Sequence, residues 1–142
     1  RLTTEFRGDN MCLETPSSAF NGVALFDCST RTSTGQSWRM TSAPGGKWKI
    51  ASQFRAGKCL DTYNGSPNNN YAFWEDCSKN TTGQTWTIKP VAGKPGYYSM
   101  TNDFRGPNMC LDISNGGQNN NYAYMAACGS LTGQYWKFTE VK

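Results

Sequence analysis

The sequence contains no histidine, and only 17% of its 142 residues carry a charged side chain. The absence of histidine excludes the Ser-His-Asp and Cys-His nucleophile systems and every histidine-based metal site. The charged fraction is below the roughly 25% of a typical soluble domain. No stretch approaches the ~18 consecutive apolar residues that a membrane-spanning helix needs. The composition therefore predicts neither these catalytic systems nor a transmembrane helix.

Clustered positive charge is also missing. The chain has 14 basic and 10 acidic residues, a net charge of +4, and its lysines and arginines are scattered singly. Domains that bind nucleic acid normally gather basic residues on one stripe of the surface. We therefore expect no nucleic-acid partner.

Aromatic and uncharged polar residues are what the chain has in abundance. Aromatic residues make up 13%, five of them tryptophan, and there are fifteen glycines. This is too aromatic for a disordered chain and too poor in helix formers for a helical bundle. The length favours one compact domain, residues 1–142. Because the chain begins at Arg1 rather than Met, we interpret it as part of a longer secreted protein.

The chain aligns with itself three times, over repeats at about 1–43, 44–93 and 94–142. Four landmarks recur in the same order: Phe-Arg at 6, 54 and 104; Cys-Leu-acid beginning at Cys12, Cys59 and Cys110; a second cysteine at Cys28, Cys77 and Cys128; and Gln-x-Trp ending at Trp38, Trp86 and Trp136. An internal repeat of about 50 residues indicates a fold built from repeated structural units.

Each repeat has the pattern of about four short strands. Period-two alternation follows each Gln-x-Trp, as in Trp86/Ile88, and Pro-Gly and Asn-Gly pairs mark turns between the strands. Three such units are too few for a solenoid, whose ends would need caps, but they suit a barrel in which each unit supplies one third of a shared core. We expect the three Gln-x-Trp tryptophans in that core.

On these landmarks, Cys-Leu-acid, a second cysteine and Gln-x-Trp three times over, the sequence resembles the ricin-B-type (QxW) lectin domain along essentially its whole length. The resemblance implies an all-β fold, the β-trefoil, and a non-enzymatic domain that binds glycans. The Phe-Arg-Gly-x-x-Met-Cys-Leu form of the first and third repeats is similar to the lectin domain of Vibrio-type pore-forming haemolysins and cytolysins. That similarity implies the C-terminal domain of a pore-forming toxin, which it would target to cell-surface glycans. Two alternatives stay open: the appendage of a secreted glycosidase, and a trefoil with decayed sugar sites that contacts proteins.

Six cysteines allow fifteen pairings, which sequence alone does not separate. The repeat makes 12–28, 59–77 and 110–128 equivalent within their units. Zinc is the competing interpretation, but the chain has no Cys-x-x-Cys and no histidine. We expect three disulfides within the repeats, no metal, no cofactor and a secreted, extracellular location.

The acid after each Cys-Leu is the first candidate for binding sugar. In the resembled family this aspartate anchors the sugar, which points to Asp61 and Asp112. A carboxylate that points outward can accept charge-assisted hydrogen bonds from neighbouring sugar hydroxyls. The alternative is a turn acid that caps a local amide. Glu14 departs from the family's aspartate, so the first repeat, with Phe26 and Gln36, is expected to hold a weaker site.

Exposed aromatic rings are the second candidate, because the C–H face of a sugar packs on an aromatic face. Counting back from the second cysteine of each repeat, Leu25, Trp74 and Met125 are expected to point inward, and Tyr71, Phe73, Tyr122 and Tyr124 outward. Ricin-like sites usually carry their stacking ring nearer that cysteine, so these positions depart from the usual galactose pocket. The expected ligands are galactose, N-acetylgalactosamine or mannose units on cell-surface glycoproteins or glycolipids.

Amide side chains complete the predicted site. Asn120 offers a donor and an acceptor to sugar hydroxyls, although asparagine is also an ordinary turn residue. Gln84 and Gln134 either reach the sugar or bind backbone between repeats. The family often has asparagine before this glutamine, whereas glycine stands at 35, 83 and 133. Asn64 and Asn80 begin glycosylation sequons, and any oligomerisation is expected to occur through the parent protein.

Overall fold

The computed structural model describes residues 1–16, 21–28 and 35–141, so parts of the first repeat lie outside it. The described residues form four strands per repeat: β1 (Leu2–Thr4), β2 (Met11–Glu14), β3 (Ala24–Asp27), β4 (Trp38–Ala43), β5 (Lys47–Ser52), β6 (Lys58–Thr62), β7 (Ala72–Asp76), β8 (Trp86–Pro90), β9 (Tyr98–Asn102), β10 (Met109–Ile113), β11 (Ala123–Ala127) and β12 (Trp136–Phe138). Short 3₁₀ turns occupy Cys77–Lys79, Thr82–Gln84 and Thr132–Gln134. Within these ranges no helix has the length and apolarity to cross a membrane.

The strands pair in a threefold pattern. The last strand of each repeat pairs antiparallel with the first strand of the next, as β4–β5, β8–β9 and β12–β1. The two middle strands of each repeat form a hairpin, as β2–β3, β6–β7 and β10–β11. Within a repeat the first strand meets the last, at Trp48↔Trp86 and Tyr98↔Trp136. This arrangement is a β-trefoil, so the predicted fold is confirmed.

The three tryptophans of Gln-x-Trp lie in the shared core, as expected. Each indole N–H donates a hydrogen bond to the carbonyl of the leucine that follows the first cysteine of its own repeat. The distances from Trp38, Trp86 and Trp136 to Leu13, Leu60 and Leu111 are 2.9, 3.1 and 2.9 Å. A buried indole N–H needs such a partner. The Gln-x-Trp segment is thereby fixed against the Cys-Leu strand.

The three expected disulfides are present, Cys12–Cys28, Cys59–Cys77 and Cys110–Cys128, with Cα atoms 5.0–5.1 Å apart. Each joins the first strand of a middle hairpin to the residue directly after the second strand, at the open end of the hairpin. The acid after the first cysteine and the residues before the second are therefore held side by side in every repeat.

Candidate glycan-binding site

In every repeat the glutamine of Gln-x-Trp binds the acid that follows Cys-Leu. Gln84 Nε2 donates to Asp61 Oδ2 at 3.2 Å and to the Asp76 carbonyl at 2.9 Å. The equivalent distances are 3.0 and 2.9 Å for Gln134 with Asp112 and the Ala127 carbonyl, and 2.9 and 2.8 Å for Gln36 with Glu14 and the Asp27 carbonyl. All three glutamines are fully buried. The structure therefore places them as groups that position the acid.

The two aspartates are buried and turn inward, which differs from the outward direction expected for them. Asp61 is 4% exposed; its Oδ1 accepts the Thr62 N–H at 2.7 Å and its Oδ2 accepts the Thr81 hydroxyl at 2.9 Å. Asp112 is 6% exposed and likewise accepts the N–H of the residue after it, Ile113, at 2.7 Å. Each carboxylate thus caps local backbone and faces the 3₁₀ turn of its own repeat.

The glycines before Gln84 and Gln134 leave the space for this orientation. A Cβ atom on Gly83 would lie 2.2 Å from Asp61 Oδ1, and one on Gly133 would lie 2.4 Å from Asp112 Oδ1. Real Cβ atoms do not approach other atoms so closely. The space that a larger residue would fill at this position is occupied here by the carboxylate.

The second repeat carries a pocket of about 330 Å³ beside Asp61. Its lining consists of Asp61, Thr62, Tyr63, Asn64, Phe73, Glu75, Lys79, Thr81, Thr82, Gly83 and Phe104. Tyr63 and Phe73 stack with ring centroids 3.7 Å apart and planes 15° apart. Phe73 is only 7% exposed because the Tyr63 ring covers it, although its position was expected to be open. Phe104 comes from the next repeat, so the pocket spans a repeat boundary. We call this hollow the second-repeat pocket.

An ion pair forms the polar rim of the second-repeat pocket. Lys79 Nζ lies 2.9 Å from Glu75 Oε2. Burial acts to raise the pKa of Glu75, but hydrogen bonds from the Asp76 N–H and from Lys79 outweigh it and leave that pKa below its ordinary value. The hydrogen bond to Glu75 raises the pKa of Lys79. Burial, followed by the charge of Glu75, raises the pKa of Tyr63. At neutral pH the rim therefore presents two charged groups, Glu75 and Lys79, beside the neutral phenol of Tyr63.

The third repeat retains the acid and glutamine but not the rest of the pocket. Ser114, Ala126 and Leu131 stand where the second repeat has Tyr63, Glu75 and Thr81. Tyr124 is partly exposed, and burial raises its pKa, with smaller contributions from Asp112 and Tyr71. The third repeat therefore has an aromatic side chain beside its aspartate, without the stacked ring and the ion pair.

Tyr71 lies against Tyr124 of the third repeat and does not line the second-repeat pocket. Its ring centroid lies 5.9 Å from that of Tyr124, and a backbone bridge connects the two residues. Asn119 Nδ2 donates to the Tyr71 hydroxyl at 3.1 Å. Tyr122 is partly buried and its backbone pairs with Ala24. The predicted aromatic set is thus divided between two repeats.

Asn120 is bound into its own loop. Its Oδ1 accepts the Gly116 N–H at 2.7 Å and Arg7 Nη2 at 2.9 Å. The equivalent Asn69 accepts the Gly65 N–H at 2.9 Å and Arg105 Nη2 at 2.5 Å. The structure places both carbonyl oxygens in contacts that close a turn and join neighbouring repeats.

The weaker first-repeat site is described only in part. Glu14 is half-buried through its contact with Gln36, and Phe26 is 40% exposed on the neighbouring strand. The residues corresponding to Lys79 and Thr81 fall within 29–34, outside the described residues. The hydrogen bond from the glutamine to the acid is therefore common to all three repeats, whereas the surroundings of the acid differ.

Sequence reasoning missed Tyr63, Lys79, Thr81 and Phe104 as lining residues. The sequence marks Phe104 only as a repeat landmark, because it does not reveal that this residue faces the preceding repeat. Tyr63 was the better signal: it follows Asp61 by two residues, and the third repeat has serine there. A large aromatic residue that breaks the repeat is a candidate for function.

The family model described as ricin-type beta-trefoil lectin domain-like matches residues 34–127. This chain belongs to that family. No curated protein matches the sequence.

Solved structures share the fold at low sequence identity. A mosquitocidal holotoxin is 18% identical with a TM-score of 0.78, and the match covers 96% of this chain and 16% of that chain. A GlcNAcα1-4Gal-releasing endo-β-galactosidase from Clostridium perfringens is 15% identical with a TM-score of 0.73, covering 96% and 31%. SeviL, solved bound to an asialo-GM1 saccharide, is 16% identical with a TM-score of 0.70, covering 99% and 95%. This chain thus spans only a small part of the first two proteins.

Proposed function

We propose that this chain is a carbohydrate-binding module whose main glycan site is the second-repeat pocket. The observation that carries the proposal is an aromatic wall, Tyr63 on Phe73 with Phe104 nearby, beside the charged rim of Glu75 and Lys79. The apolar face of a sugar packs on such a wall, while its hydroxyls exchange hydrogen bonds with ionised groups.

Asp61 has a supporting part in this proposal. Its carboxylate already accepts hydrogen bonds from Thr62, Thr81 and Gln84. A carboxylate has about four lone-pair positions, which leaves room for one further donor such as a sugar hydroxyl. We therefore assign the stronger sugar contacts to the exposed rim and the aromatic wall, with Asp61 at the inner end.

The third repeat is proposed as a second, weaker site, formed by Tyr124 and Tyr71 near Asp112. Both rings are partly exposed and lie in contact across the repeat boundary. Gln134 positions Asp112 there as Gln84 positions Asp61. Two sites on one rigid module can raise avidity toward a glycan-coated surface by about 10²–10⁴-fold when the spacing fits.

Binding without catalysis is part of the proposal. Glycoside hydrolysis needs one carboxylic acid whose pKa is raised so that it can protonate the leaving oxygen. Glu75 has the opposite shift, because Asp76 and Lys79 hold its ionised form. Its arrangement favours accepting hydrogen bonds from hydroxyl groups.

For the whole protein we propose a secreted toxin that this module directs to cell-surface glycans. The Phe-Arg-Gly-x-x-Met-Cys-Leu repeats and the likeness to the holotoxin support this context, and the three disulfides fit an oxidising compartment. The likeness to the endo-β-galactosidase favours a glycosidase appendage as the second candidate.

A glycan array with galactosides, N-acetylgalactosaminides and mannosides tests the binding function. We expect one sugar class to bind, and Phe104→Ala and Tyr63→Ala to weaken it roughly three- to tenfold through lost aromatic contact. Phe54→Ala is the matched control, since Phe54 occupies the Phe104 position of the second repeat but does not line this pocket. Folded protein that binds no glycan, or an unchanged affinity in Phe104→Ala, would refute the proposal.

A further inference from the structure

A polar hollow lies on the outer face of the β8–β9 hairpin. Thr87 pairs with Thr101 and Lys89 with Ser99, and these four side chains alternate with the inward-facing Met100 and Trp86. Thr87, Lys89 and Thr101 line a hollow of about 470 Å³; Lys89, Ser99 and Thr101 line an adjoining one of about 390 Å³. We call the surface formed by Thr87, Lys89, Ser99 and Thr101 the hairpin groove.

The hairpin groove lies next to the second-repeat pocket. Asn102 and Asp103 line the groove side, and the following residue, Phe104, lines the pocket. Asn102 Nδ2 also donates to the Thr62 hydroxyl at 2.9 Å. This hydrogen bond connects a residue that lines the groove's hollow with one that lines the pocket. An extended ligand in the pocket therefore has the groove as its neighbouring surface across a single turn of chain.

The charge changes sign between the two surfaces. In the pocket, Asp61 and Glu75 face one cation, Lys79. Among the described residues that line the groove's hollow, the single acid is Asp103, which is paired with Lys47. Lys89 is exposed and forms no ion pair with any described residue. The pocket is thus left with an excess of negative charge and the groove with one uncompensated ammonium group.

The other two hairpin junctions show what distinguishes Lys89. Lys49, on the β4–β5 hairpin, donates to Asn80 Oδ1. Lys137, on the β12–β1 pair, binds the carboxylate of Asp9 at 3.1 Å. Both ammonium groups are held by the protein itself. Lys89 has hydroxyl groups around it instead, which can donate hydrogen bonds to the same anion that its ammonium attracts.

We propose that the hairpin groove binds an acidic substituent, a sulfate ester or a carboxylate, of the glycan whose neutral sugar occupies the second-repeat pocket. This inference rests on the proposed function, since the pocket must hold the neutral sugar. An anionic oxygen would be repelled beside Glu75 and attracted to Lys89, with Thr87, Ser99 and Thr101 as hydroxyl donors. The module would then distinguish acidic from neutral glycans that share one core sugar.

Paired glycans test this proposal. Galactose, N-acetylgalactosamine, N-acetyllactosamine and mannose are immobilised as neutral and as sulfated conjugates, the first three also as sialylated conjugates, and affinities are measured at low and high salt. We expect wild-type protein to bind at least one acidic form roughly three- to fivefold more tightly than its neutral counterpart, an advantage that salt removes. Lys89→Gln should lose this advantage while its affinity for the neutral sugar is unchanged. Lys137→Gln, which removes a lysine that is paired with Asp9 away from the groove, should behave as wild type.

The sulfated and sialylated arms show which anion the groove accepts. Acidic forms that bind no better than neutral ones, or an advantage that survives in Lys89→Gln, would overturn the groove while leaving the pocket intact. If wild-type protein binds none of the conjugates while Lys89→Gln and wild type remain folded, the pocket itself fails and the groove fails with it. Phe104→Ala separates the two surfaces further: it should weaken neutral and acidic forms by the same factor.

Discussion

Gly83 shows how the absence of a side chain at one position sets the direction of the Asp61 carboxylate. With no Cβ at this position, the Asp61 carboxylate fills the space above the 3₁₀ turn and accepts three hydrogen bonds there. Gly133 leaves the same space for the Asp112 carboxylate, which accepts two hydrogen bonds there. The resembled family often has asparagine at this position, and its amide would occupy the same volume. The buried aspartates are therefore a consequence of the glycines.

Gly83→Ala should displace Asp61 and weaken the second-repeat pocket. The new Cβ would lie 2.2 Å from Oδ1, so the carboxylate must leave the Thr62 N–H. We expect a loss of about 1–3 kcal/mol in the free energy of unfolding and a reduced glycan affinity. Gly133→Ala makes the same clash with Asp112 and is the control: a similar loss of stability with unchanged binding at the second-repeat pocket. Equal effects on glycan binding in both variants would contradict this assignment. Chemical denaturation and titration with the glycan measure the two quantities.

The Glu75–Lys79 pair predicts a pH dependence. The pKa of Glu75 is lowered in the folded state, so its contribution to stability is complete above the ordinary value of 4.5 and disappears as the pH falls through the lowered pKa. Lys79 is exposed and Glu75 is half-buried, so solvent screening keeps this contribution small. The unfolding free energies of wild type and Glu75→Gln should therefore differ at pH 7 and converge as the pH falls below the lowered pKa of Glu75. A difference that persists at the lower pH would show that another interaction is responsible.

At the scale of elements, the arginine of each Phe-Arg landmark fastens one repeat to the one before it. Arg105 Nη2 donates to the Tyr63 carbonyl at 3.2 Å and to Asn69. Arg7 reaches Asn115 and Asn120 of the third repeat, and Arg55 reaches the Thr15 carbonyl of the first. The β6–β7 loop that carries Tyr63 and Asn64 is thus held by the neighbouring repeat.

Arg105→Ala should loosen that loop and weaken the second-repeat pocket together with it. A hydrogen bond that involves a charged group contributes up to about 3 kcal/mol. Because the Arg105 contacts are partly exposed, we expect a loss of about 1–3 kcal/mol in unfolding free energy. We also expect a lower glycan affinity. Arg7→Ala removes the equivalent contacts in the third repeat and should cost similar stability without affecting this pocket. Hydrogen exchange of residues 63–71 reports the loop directly. Unchanged exchange in Arg105→Ala would exclude the fastening role.

The elements themselves were largely predictable, and the contacts between repeats were not. Alternation around Trp86 and the turn glycines predicts strands because period and turn chemistry are local properties of the sequence. Trp74 packs against the core, as expected, but it is only half-buried, and the Arg55 guanidinium lies 4.5 Å from its ring centroid. Tyr71 was expected in the second repeat's site and instead contacts Tyr124. Both outcomes depend on residues about 20 to 50 positions away, which no local pattern contains.

At the scale of the whole molecule, the scaffold has threefold symmetry and the candidate site does not. Each repeat keeps its disulfide, its tryptophan hydrogen bond and its acid–glutamine contact. The stacked Tyr63, the Glu75–Lys79 pair and the unpaired Lys89 have no counterparts at the equivalent positions of the third repeat. Repetition thus makes the fold predictable, whereas function depends on the residues that break the repetition.

The disulfides offer a prediction that separates scaffold from site. Cys59–Cys77 and Cys110–Cys128 have the same sequence separation, 18 residues, so the chain-entropy model gives each about 3 kcal/mol. Replacing either pair by serines should therefore lower the unfolding free energy by a similar amount, measured by chemical denaturation. Only the first replacement should also reduce glycan affinity at the second-repeat pocket, because that disulfide holds together the β6–β7 hairpin carrying Asp61 and Glu75. If both variants lose glycan affinity equally, the site does not lie in the second repeat; if neither loses stability, the disulfides are not what holds the hairpins together.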